Sequence, residues 1–120
     1  MTPIDGDPVH RLRDSHKIML EESVRVLVDK LAGLEGVQKI SVFGSFAAGR
    51  RDLFTDLDIL VIMDTELNVV DRLAFLYSKV SLPVDLDLFC YTPQEYKILK
   101  KGWLSRALRD AQVLYEKRAS

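Results

Sequence analysis

Seven consecutive residues, Leu57–Met63 (LDILVIM), are apolar except for Asp58. That run constrains the fold more than any other segment, because it reads as a strand covered on both faces. A strand of this kind needs packed layers on either side, and the flanking sequence offers them. His16–Leu34 carries Ile18, Leu20, Val24, Leu27, Val28 and Leu31 at spacings of three and four, a helical stripe, with Ser15 as its N-cap. Leu67–Val80 carries a second such stripe.

Two further strands frame the apolar run. Val37–Phe43 holds Ile40, Val42 and Phe43, residues that favour a pleated sheet, and it ends at Gly44-Ser45. Pro83 opens Val84–Tyr91, in which Asp85 and Asp87 alternate with apolar residues. Thr92-Pro93-Gln94-Glu95 is a helix start, with a hydroxyl N-cap, proline at the first position and glutamate at the third. Lys97–Gly102 and Trp103–Asp110 read as short helices, and Val113–Tyr115 as a last strand. The expectation is one α/β (α+β) domain over residues 1–120, a small mixed sheet flanked by helices, with 1–14 a flexible segment.

Composition excludes several classes. The net charge is −1, so no global basic field would draw nucleic acid. One cysteine, Cys90, excludes an internal disulfide and fits a reducing, cytoplasmic setting. No apolar stretch is long enough to span a bilayer. Charge is nonetheless uneven: residues 95–120 hold seven Lys/Arg against three acids, which leaves the acidic excess in residues 1–94.

The chemistry-bearing stretch is Gly44–Met63. Gly44-Ser45 follows a strand and opens the small-residue turn Phe46-Ala47-Ala48-Gly49. Glycine permits close backbone approach, and the N–H groups of such a turn with the serine hydroxyl can cradle phosphate oxygens. Ten residues separate Ser45 from Asp56, and Asp56-Leu57-Asp58 begins the next strand. Residues two apart on a strand share a face, so the two carboxylates project together, ~6.5–7 Å apart along the chain. Such a pair repels unless one member protonates or a cation sits between them. A divalent ion that shares its shell with substrate phosphates suits the arrangement. Asp85 and Asp87 on the following strand offer a third acid, and alternation alone cannot choose between them. Each part has a blander reading as a turn or a wet strand edge; their succession in consecutive elements is what points to chemistry.

The arrangement Gly-Ser, about ten residues, Asp-x-Asp, then a third acid resembles the DNA polymerase beta-like nucleotidyltransferases. Over residues 37–91 it resembles their compact branch, the minimal nucleotidyltransferases. That resemblance implies that Gly44 and Ser45 hold the β- and γ-phosphates of an NTP, ATP being the expected one. It implies that Asp56, Asp58 and a third acid bind two Mg²⁺ ions, or Mn²⁺ in their place. Asp85 is taken as that third acid because it follows Pro83-Val84, where the family's aspartate usually sits. Members of this branch often pair with a small helical HEPN-type partner and act as antitoxins, some by transferring AMP to a partner tyrosine. Nucleic acid would then be met through the partner only, and self-association stays open. The alternative is a non-catalytic module that neutralises or completes a helical partner by contact. A small-molecule transferase ranks below both, since such relatives carry a second domain. Arg50 and Arg51 read first as a solvated loop pair, and second as phosphate contacts.

Overall fold

The computed structural model describes residues 8–118. Its elements run α1 (Pro8–Leu31), β1 (Val37–Phe43), α2 (Gly44–Ala47), β2 (Leu57–Met63), α3 (Val69–Lys79), β3 (Leu86–Tyr91), α4 (Pro93–Leu99), α5 (Trp103–Ala107) and β4 (Gln112–Glu116). The four strands form one sheet in the order β3-β2-β1-β4. β1 runs antiparallel to both β2 and β4, and β2 runs parallel to β3, with α3 as the crossover. This is the mixed α/β sheet expected.

β2 is central and covered on both sides. Its odd-numbered residues Leu57, Ile59, Val61 and Met63 enter the larger core, with Leu20, Leu27 and Leu31 of α1 and Leu76 of α3. Its even-numbered Leu60 and Ile62 join Phe43 in a smaller core on the other face, against Phe89, Tyr91 and Tyr96 and residues Ala107, Leu108 and Ala111. Asp58 belongs to that second face and is the one residue of the strand that is not buried. Burial of a dozen and more large side chains, each worth roughly 1.5–3 kcal/mol, fixes the register of β2 and thereby the direction of Asp58.

Several boundaries differ from expectation. α1 begins at Pro8, so residues 8–14, expected in a flexible segment, are helical, and Ser15 lies inside the helix rather than capping it. Residues 1–7 of that expected segment lie outside the described residues. Pro8 suits a first helical position, where its missing N–H is not needed. Full burial in α1 starts only at Leu20, so the preceding turns leave no mark of core packing. β3 starts at Leu86, two residues later than the expected Val84. The turn after Gly44 closes into the single helical turn α2.

The helix start at Thr92 is a full capping box: Thr92 Oγ1 accepts from the Glu95 N–H at 3.2 Å, and Glu95 accepts from the Thr92 N–H at 2.9 Å. Glu95 also holds the buried Arg72 of α3 in a two-pronged pair at 2.7 and 3.1 Å. This pair ties α3 to α4 around the end of β3.

Candidate active site

The acids lie where β1 ends and β2 and β3 begin. Asp58 is directly opposite Asp87 in the parallel β2–β3 register, and opposite Phe43 in the antiparallel β1–β2 register. Phe43 hands the chain to Gly44, which takes a φ of +72°, a region that L side chains rarely occupy. A Cβ on Gly44 would run into a carboxylate oxygen of Asp58. Glycine is therefore needed twice here, for the turn and for the space beside the acid.

Electrostatics mark the same place. The Asp58 carboxyl is pushed above its ordinary range, first by burial, then by the charges of Asp87 and of Asp56. Among the described residues no ion pair involves Asp56, Asp58, Asp85 or Asp87. Three carboxylates thus share one strand edge, and the charge of Arg50, itself paired with Asp52, reaches only Asp56 among them.

Asp85, the expected third acid, shares this stretch of chain with Asp87, and both side chains are exposed. The Asp85 carbonyl accepts the Leu57 N–H at 3.0 Å. In the β2–β3 register Asp87 stands across from Asp58, and Asp85 lies two residues earlier on the approach to β3. The sequence pattern placed both on one face; only the strand register tells which one stands across from Asp58.

The donors fit a hard divalent ion. Among the described residues no three His, Cys, Asp or Glu side chains are gathered into a ready metal-binding cluster. The site is instead an open acidic edge. That suits an ion such as Mg²⁺, which takes one or two carboxylates and completes its shell with water and substrate phosphate.

The loop between the turn and the acids is rigidly built. Buried Thr55 accepts the Asp52 N–H at 3.0 Å and donates to Asp52 Oδ1 at 3.2 Å; the same oxygen accepts the Phe54 N–H at 2.9 Å. Arg50 pairs with Asp52 at 2.6 Å, which holds that carboxyl below its ordinary range. Arg51 stacks on the Phe46 ring, 3.5 Å from its centroid, and donates to the Phe46 and Arg50 carbonyls. It also reaches Glu21 of α1 at 3.4 Å. Arg51 is thus a brace that seats α2 on α1 rather than a free phosphate contact. Gln112 of β4 adds a bond to the Ala47 carbonyl.

Tyr77 of α3 is a support that its place in an apolar stripe concealed. Its hydroxyl accepts the Leu88 N–H at 2.8 Å and donates to the Leu86 carbonyl at 3.2 Å. Both bonds grip the outer edge of β3, on either side of Asp87. Cys90 is buried under the same strand, its thiol pushed up to about 11 by burial, as suits a small core residue. His16 Nε2 is buried without a partner, far in sequence from the acids.

Comparison with known proteins bears on the fold and the family. A nucleotidyltransferase domain model matches residues 24–84, which include Gly44, Ser45, Asp56 and Asp58. No protein of curated function matches the chain. Among solved structures, a Sulfolobus solfataricus protein assigned as a nucleotidyltransferase superposes with a TM-score of 0.55 at 18% identity. That alignment covers 92% of this chain and 89% of the other. A mutant of the toxin–antitoxin pair MntA-HpeT gives a TM-score of 0.52 at 22% identity, covering 82% and 73%. At such identities the two structures speak for the fold alone. The family match spans half of the sequence and contains the turn and both acids of the Asp-x-Asp pair: the chain belongs to the nucleotidyltransferase domain family.

Proposed function

We propose that the chain transfers a nucleoside monophosphate, AMP from ATP, to an acceptor hydroxyl, with Asp56, Asp58 and Asp87 as its working acids. The observation that carries this reading is the state of Asp58: partly desolvated, pressed by two further carboxylates and set against the glycine that opens the turn. Such a cluster is costly without a cation and ready for one with it. Asp87 here takes the role expected of Asp85.

In this reading the three acids would hold Mg²⁺, or Mn²⁺ in its place, as the two ions expected of such a site. Bound ions would neutralise charge on the phosphoryl oxygens and on the leaving pyrophosphate. Gly44 admits the triphosphate close to the backbone, and the Ser45 hydroxyl donates to a phosphate oxygen. The acceptor oxygen attacks the α-phosphorus in line, the bond to the β-phosphate bridging oxygen breaks, and pyrophosphate leaves with that electron pair. Asp87, exposed at the strand edge, receives the acceptor proton directly or through water.

The acceptor in this proposal is a macromolecule, a small helical HEPN-type partner, and the chain acts as the antitoxin of the pair in the cytoplasm. The fold likeness to a toxin–antitoxin structure supports this direction. The test is transfer of label from α-³²P-ATP to the co-expressed helical partner, with pyrophosphate release followed in parallel. Label on the partner that is lost in Asp58→Asn supports the proposal. Neutralisation of the partner by wild type and Asp58→Asn alike, with no label, would establish a contact-only module instead.

A further inference from the structure

At the far end of the sheet face that carries the acids lies a second charged feature, of opposite sign. A pocket of about 260 Å³ there is lined by Lys39 of β1, Lys97 of α4, Lys100 just past α4, and Lys117 just past β4, with Tyr96 and Glu116 among its other walls. The ammonium groups of Lys39 and Lys100 stand 6.0 and 5.6 Å from the centre of the Tyr96 ring. Among the described residues no ion pair takes any of the four lysines. Glu116 is the single acid on the lining. Lys39 is four residues before Phe43, so roughly 13 Å of β1 separates the pocket from the acidic edge.

We propose that this pocket is an anion site for a compact oligophosphate, a diphosphate or triphosphate, separate from the acidic edge. Four lysines, from β1, α4 and the segments just past α4 and β4, line one small cavity, and the single carboxylate on that lining leaves positive charge in excess. Lysine is a compact point charge with three rotatable donors, so several lysines can close on one phosphate chain from different directions. Tyr96 stations two of them by cation–π attraction. The cavity, about 260 Å³, has room for a few linked phosphates. The phosphates can arrive free or as the tail of a nucleotide; the proposal stands independently of turnover at the acids.

The test uses the intact chain in chelator, so that no divalent ion recruits phosphate to the acidic edge. Inorganic triphosphate is titrated calorimetrically into wild type, Lys97→Gln/Lys117→Gln, and the control Lys30→Gln/Lys79→Gln, whose positions lie elsewhere. The expected result is one site per chain, weakened at least tenfold by the pocket pair and less than twofold by the control pair. Thermal melts of both doubles should match wild type, since the exchanged lysines of the pocket are exposed. Equal affinity for ATP and triphosphate would identify the phosphate tail as the recognised group. No triphosphate binding by wild type would overturn the proposal, as would equal weakening by both double variants. So would binding of ATP without triphosphate, or tighter binding of a single-stranded oligonucleotide that lacks a terminal phosphate.

Discussion

Asp58 is the residue on which the site turns, and its environment predicts a measurable conflict between stability and function. Its carboxyl is raised by burial and by two like charges. A carboxyl raised on folding favours the folded state below its unfolded value, about pH 4, and withdraws that support as pH rises through the folded value. In chelator at neutral pH, Asp58→Asn should therefore melt higher than wild type. The gain should be about 0.5 kcal/mol, the scale of a like-charged cross-strand pair, and should vanish below about pH 4. A melt series across that pH range checks it, and an unchanged or lower melting temperature at pH 7 would count against the crowding of acids. Gly44 makes a companion case. Gly44→Ala forces a left-handed backbone on a residue with a Cβ and pushes the Asp58 carboxylate aside. Denaturant titration should show a loss of roughly 1–3 kcal/mol, and turnover should fall further than stability alone explains.

At the scale of elements, the site is held by supports of unequal legibility. The ends of β1 and β2, and the capping box at Thr92, could be read directly, because apolar runs and capping residues are local signals. The brace of Arg51 on Phe46 and Glu21, and the grip of Tyr77 on β3, were not legible, because each joins residues whose proximity is created by the fold. Tyr77 fell on an apolar stripe, and nothing in its spacing distinguished a packed ring from a hydroxyl aimed at a strand edge. The first turns of α1 escaped notice for a related reason: residues that touch no core carry no periodic trace of it. Tyr77→Phe keeps the ring and leaves the Leu88 N–H without its partner. It should cost about 1 kcal/mol in equilibrium unfolding. By loosening β3 around Asp87 it should also weaken metal-dependent ATP binding; wild-type affinity would show that the clamp serves stability alone.

At the scale of the molecule, the sheet divides labour between its faces. One face packs on α1 and α3 and supplies the larger core; the other carries the acids at one end, an aromatic core in the middle and the lysine pocket at the far end. The family match and the Asp-x-Asp pair agree because both rest on β1, β2 and the turn between them, the part of the chain whose pattern is local. The third acid was the one part of the candidate site that pattern alone could not assign, since Asp85 and Asp87 share parity and only the β2–β3 register separates them. The central claim, an acidic edge built by Asp56, Asp58 and Asp87, is therefore tested most directly by titrating ATP with Mg²⁺ into Asp87→Asn and Asp85→Asn beside wild type. The account predicts that Asp87→Asn loses at least ~1.4 kcal/mol of binding, a tenfold change, while Asp85→Asn stays within twofold. Retained binding in Asp87→Asn together with its loss in Asp85→Asn would contradict it.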